Sequence, residues 1–150
     1  MTANNDTAVH LLNSLIETTL DSANGYRHAA ESVEDPQLRS MFEQRASRRE
    51  EISSELQREV RSFGGEPRTD QSTLGQLHNK FVNIKSAVTG HSDKAVIDEV
   101  ERGEDFIKGK FEAAFNGSDL PQQARDVVSR AFGSITADHD EISRLKHQMN

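Results

Sequence analysis

Cysteine and tryptophan are both missing from the 150-residue chain, tyrosine occurs once and proline three times. Without cysteine, a disulfide scaffold, a thiol nucleophile and any Cys-ligated zinc or iron–sulfur site are excluded. Hydrophobic residues are scarce, at 33%. That is too few for elements wrapped in core on all sides, but enough for helices that each bury one stripe. No apolar run approaches the roughly 18 residues of a membrane span. The polar start MTANNDT is unlike a signal peptide, so a cytoplasmic location with no membrane association is expected. Basic clusters are lacking too: 18 Lys and Arg stand against 25 Asp and Glu, a net charge of −7. This balance disfavours a phosphate-binding surface and hence nucleic acid as a partner. Arg39, Arg45, Arg48, Arg49, Arg58 and Arg61 share one segment, but Glu43, Glu50, Glu51, Glu55 and Glu59 are interleaved with them. Such mixing stabilises a helix through i,i+4 pairs. The length suits one domain, read as residues 7–149 after a flexible N-terminus at 1–6.

What the chain does contain is helical periodicity punctuated by breakers. Asp35-Pro36, Gly64-Gly65, Gly90 and Asn116-Gly117 separate five periodic segments, and none shows the alternation of a half-buried strand. The first segment, from about Thr7 to Val33, carries Val9, Leu12, Ile16, Leu20, Ala23, Ala30 and Val33 on one face. Asp35 then Pro36 predicts a capped start for the second, whose stripe holds Leu38, Met41, Phe42, Ile52, Leu56, Val60 and Phe63. A polar loop, Glu66 to Gln71, precedes a shorter third segment with Leu74, Leu77, Phe81, Ile84 and Val88. Ser92 caps the fourth, whose stripe is Val96, Val100, Ile107, Phe111 and Ala114. Ser118 or Asp119 is predicted to cap the fifth, with Pro121 in its first turn and a stripe running from Ala124 through Val128, Ile135 and Ile142 to Met149. The four longer segments predict two antiparallel hairpins joined by a long crossover containing the shorter helix. This is an all-α, ferritin-like four-helix bundle; a plain five-helix bundle fits the periodicity equally.

The informative positions are polar residues that interrupt an apolar stripe. Arg45 and Arg49 fall between Phe42 and Ile52, with Arg48 at the margin. Glu104 falls among Ile97, Val100, Ile107 and Phe111, and Asp138 and His139 fill the gap between Ile135 and Ile142. Counted from one end of the crossover bundle, these interruptions share a height roughly 13–18 Å inside it, level with the hydroxyl of Tyr26. The expected buried polar layer is therefore Tyr26, Arg45, Arg49, Glu104, Asp138 and His139, a set whose charges can pair. The simplest role for such a layer is to fix helix register. The alternative is an iron or manganese site built from Glu104, Asp138 and His139, with Glu101 nearby, although two guanidinium groups at the same level would repel a cation. The di-metal pattern of such bundles requires Glu-x-x-His on two helices, and the chain contains no Glu-x-x-His. Glu17, with His10, Asp21 and His28, reads as a solvated face. No Gly-rich phosphate loop or nucleophile elbow is present.

Several blocks also resemble a known family. They are Gly64-Gly65-Glu66-Pro67, Leu77-His78, Val82, Lys85-Ser86-Ala87, Thr89-Gly90, Glu101-Arg102-Gly103-Glu104-Asp105, Leu120-Pro121, His139-Asp140 and Arg144-Leu145. In kind and order they are similar to an uncharacterised bacterial ferritin-like four-helix-bundle family, a domain of unknown function. The resemblance runs from about Leu11 to Lys146 and implies the crossover bundle. It carries no established catalytic residue, and its kinship with ferritins implies metal or stress roles only by analogy of fold. The expectation is a non-enzymatic bundle with no cofactor, acting through its surface or as a homo-oligomer such as a dimer, in stress physiology. Iron or manganese binding is the rival reading.

Overall fold

The computed structural model describes residues 3–69, 92–117 and 120–149, with side chains from Asn5 onward. Four helices account for most of them: α1 (Ala3–Ser32), α2 (Pro36–Ser62), α3 (Asp93–Asn116) and α4 (Gln122–Gln148). There is no strand among the described residues. The short helix predicted across Leu74 to Gly90 lies outside the described residues. So do Ser118 and Asp119, the predicted caps of the last helix.

The local signals act largely as their chemistry dictates. Asp35 caps α2 by accepting from the Gln37 amide, with Pro36 at the first helical position. The Ser92 hydroxyl accepts from the Ala95 amide and caps α3. Two boundaries differ from expectation. α1 begins at Ala3, so part of the stretch read as a flexible arm is helical. Pro121 is the residue before α4 rather than part of its first turn, and no side chain caps that helix. Its extended backbone, with ψ 156°, sets it outside the helix that follows. α1 has no basic residue in its last turn. Arg39 of α2 serves instead, donating to the carbonyls of Ala30 (3.2 Å) and Val33 (2.8 Å).

At the other end α2 stops because Gly64 turns to φ +80°, a conformation that costs glycine little. Gly65 matters for a different reason. A Cβ there would lie 2.7 Å from both γ-methyls of Val9, so the chain leaving α2 presses directly on α1. The segment beyond is tied down by the Asn13 amide, which donates to the Glu66 carbonyl (3.0 Å) and accepts from the Arg68 amide (2.8 Å). Arg68 also pairs with Glu17 at 2.7 Å.

Helix directions follow from a few contacts. The Asp93 carboxylate accepts from the backbone amides of Glu34 (2.8 Å) and Asp35 (3.1 Å). The turn between α1 and α2 thus rests on the start of α3, and α2 and α3 run the same way from one end. Ile142 and Leu145 pack there with Val33 and Val96, so α4 ends where α1 ends. α1 packs most extensively on α2, and α3 on α4; α1 with α3 comes next, and α2 with α4 is the thinnest of these four contacts. Each of these neighbouring pairs is antiparallel. The parallel α2 and α3 stand on a diagonal, which only a long connection can span.

The core is divided. One apolar cluster holds Leu12, Ile16, Leu56, Phe111, Val128 and Ile135 among others. The second holds Ala30, Phe42, Val96, Ile97, Val100 and Ile142 with Tyr26. Along every helix the two clusters are separated by a short interval: Ile16 to Tyr26 on α1, Ala46 to Ile52 on α2, Val100 to Ile107 on α3, Ile135 to Ile142 on α4.

Burial on α1 is wider than one stripe. Thr18, Thr19 and Ser22 are fully buried and Asp21 is 3% exposed. Periodicity alone puts Asp21 on a solvated face. That reading gives α1 a single stripe, whereas α1 packs on both α2 and α3 and so presents two. Thr18 and Thr19 enter the interior with their hydroxyls bonded to the carbonyls of Ser14 and Leu15, one turn back.

Candidate functional site

The interval between the two apolar clusters is filled by polar side chains that all four helices contribute. Arg49 of α2 is the centre, with no exposed surface. Its Nη1 and Nη2 donate to Oε1 and Oε2 of Glu104 on α3 at 2.7 and 2.8 Å, a parallel two-bond pairing of planar groups. Nη2 also donates to Asp138 Oδ2 on α4 (3.1 Å), and Nη1 to Ser22 Oγ on α1 (2.7 Å). The other carboxylate oxygen of Asp138 accepts from Arg48 Nη1 (3.0 Å) and lies 3.5 Å from Arg45 Nε. Arg45 continues outward to Glu141. Three guanidinium groups and three carboxylates therefore form one network, graded from a buried pair to a solvated rim.

Tyr26 closes the layer on the side of the second cluster. Its ring packs against Phe42 at 5.7 Å between centroids, and the guanidinium carbons of Arg49 and Arg45 lie 5.3 and 5.9 Å from its centre. Both distances fall within cation–π range. Burial, then the negative charge of Glu104, pushes the Tyr26 phenol above its ordinary range, against the opposing pull of Arg49 and Arg45. The phenol is thus held neutral. Burial works against the charge of Arg49, but Glu104 leads a set of partners that outweighs it and raises that group. An arginine so held stays charged at any ordinary pH.

Tyr26, Arg45, Arg49, Glu104 and Asp138 are brought together at one height. His139 is not. Consecutive helix residues are about 100° apart, so when Asp138 faces α2, His139 faces α3. Its Nε2 lies 2.6 Å from Asp105 Oδ1 and its Nδ1 3.2 Å from Asp140 Oδ1. Glu101 is elsewhere again, accepting from Lys146 Nζ and Ser143 Oγ, both at 2.8 Å. The bond from Lys146 lowers the Glu101 carboxyl, against partial burial and with help from Ser143. The four residues expected to form an iron or manganese site, Glu101, Glu104, Asp138 and His139, thus belong to three separate groupings. Among the described residues, no group of three or more His, Asp or Glu is placed to hold a metal ion. The two acids that do converge already enclose a fixed cation, so this donor set does not fit a metal.

The sequence pattern does not single out Ser22, Glu141 or the bond from Arg48 to Asp138. Ser22 stands one helical turn before Tyr26, and Glu141 one turn after Asp138. Both are therefore legible as neighbours of the layer once its height is known. Chemically, the Ser22 hydroxyl and the carboxylates of Glu104 and Asp138 are all taken up as acceptors for arginine N–H groups. The layer's one evident capacity is directional: it ties four helices together through a single side chain.

A model of the family described as Domain of unknown function (DUF2383) matches residues 7–117. The chain belongs to this family. No curated protein matches it. The DUF2383 match covers α1, α2 and α3 and so includes Ser22, Tyr26, Arg45, Arg49 and Glu104. It ends before α4, which supplies Asp138 and Glu141. No helix among the described residues is long and apolar enough to cross a membrane.

Proposed function

We propose that the protein is a non-enzymatic bundle of ferritin-like topology, closed inside by an ionic cross-link, that acts through its outer surface or as a homo-oligomer. The observation that carries this reading is the guanidinium of Arg49 seated between the carboxylates of Glu104 and Asp138. In a carboxylate-bridged metal site those two acids would face a metal cation. Here they face an organic one that cannot be deprotonated. Antiparallel neighbours with α2 and α3 parallel on a diagonal support the ferritin-like arrangement.

The layer's contribution is to specificity more than to net stability. A buried ion pair roughly breaks even against well-packed apolar side chains of the same volume, because desolvation offsets attraction. A wrong arrangement, however, is heavily penalised. Sliding one helix by a turn, about 5.4 Å, would set a charge against an apolar cluster and leave its partner alone.

Metal analysis of protein purified without chelator tests the reading, using the wild type and His139→Ala. The expected result is no stoichiometric iron or manganese in either. Stoichiometric metal in the wild type, above all if lost in His139→Ala, overturns it. Light scattering on the same samples distinguishes a monomer acting through its surface from a homodimer.

A further inference from the structure

Outside the ionic layer, the edge between α3 and α4 carries a second set of titratable groups. The His139 side chain is 15% exposed, and each of its ring nitrogens faces a carboxylate oxygen, of Asp105 across the interface and of Asp140 on its own helix. An ionised carboxylate only accepts hydrogen bonds, so each nitrogen needs a proton to make its contact. The two acids together select the doubly protonated ring.

We propose that His139 is a proton-dependent clasp that fastens α4 to α3 at the exposed edge of their interface. The neutral ring keeps one N–H. Whichever nitrogen holds it, one acid loses its donor, and Asp105 loses the positive charge it faces. The clasp acts beside Asp138, so at one height α4 is held toward α2 by the arginines and toward α3 by the imidazolium. Because α4 meets α2 over the thinnest of the four contacts, its seat on α3 carries much of its attachment.

The charged groups around the ring bear this out in sign. Partial burial opposes protonation most strongly and Lys108 of α3 repels the charge. The bonds to Asp105 and Asp140, with the charge of Asp105, outweigh both and raise His139 above the ordinary imidazole value of 6.5. Glu101 of α3 is close enough to feel the ring's charge, and it is itself bonded to Lys146 of α4. A group raised on folding contributes fully below its unfolded value and loses that contribution as pH rises through its folded one. The clasp is therefore closed in mild acid and relaxes toward alkaline pH.

An NMR titration of the full chain tests this, with the His139 imidazole assigned by His139→Gln. The expected midpoint lies above 6.5 and falls in Asp105→Asn and in Asp140→Asn. Both acids are more than half exposed, at 62% and 55%, so these variants leave the core intact. Hydrogen exchange of the α4 amides after Asp138 should accelerate above the midpoint by more than the ordinary effect of base, and this excess should be absent in His139→Gln. A midpoint at or below 6.5, one unmoved by Asp105→Asn, or the same excess in His139→Gln overturns the proposal.

Discussion

Replacing Arg49 by methionine removes the hub of the ionic layer while keeping most of its length. Four hydrogen bonds are lost: two to Glu104, one to Asp138 and one to Ser22. The consequences for the two acids differ. Asp138 retains Arg48 at 3.0 Å and Arg45 at 3.5 Å. Glu104 is 2% exposed and has no other ion-pair partner among the described residues. A carboxylate stranded in this way costs about 3–5 kcal/mol. With a urea dependence of about 2 kcal/mol/M, typical of a small domain, the unfolding midpoint should fall by about 2 M. Removing both partners in Arg49→Met/Glu104→Met should recover most of the loss, since the stranded charge and not the missing pair is the expensive element. Far-UV circular dichroism reports the helices. Tyr26, the sole tyrosine of a chain without tryptophan, sits in the layer and reports it by fluorescence. Coincident transitions from the two signals would validate the two-state treatment. A loss below about 1 kcal/mol in the single variant, or a double variant no more stable than the single, would refute the reasoning.

Asp138→Asn should be milder, at about 1–3 kcal/mol. Arg49 keeps Glu104 and Ser22, and Arg45 keeps Glu141. A urea midpoint as low as that of Arg49→Met would show that the network does not share its charges in this way. Gly65→Ala should cost about 1–3 kcal/mol by overpacking, because the new methyl would meet Val9 at 2.7 Å. Val9→Ala in the same chain should return much of that loss, and thermal melts showing no rescue would place the strain elsewhere.

Much of the architecture is legible in the sequence, because helices advertise themselves locally. Asp35-Pro36, Ser92 and Gly64 set boundaries through bonds to atoms a few residues away. The height of the polar layer was legible too, since apolar spacing breaks on α2, α3 and α4 in the same interval. Ser22 was invisible by the same logic: a small hydroxyl beside Ala23 breaks no stripe, and only the nearby guanidinium of Arg49 gives it a role. Asp21 was misplaced because the number of neighbours a helix has is not written in its own periodicity.

The sequence by itself determined that this chain makes amphipathic helices and that charge must enter their common core at one level. Which charges meet was decided only by the tertiary structure. Asp138 and His139 are adjacent in the chain, yet one joins Arg49 inside and the other joins Asp105 at the edge. Helix spacing fixes the angle between two side chains to within a fraction of a turn. Hydrogen bonding is won or lost over less than an ångström, and that precision comes from the packing of all four helices together.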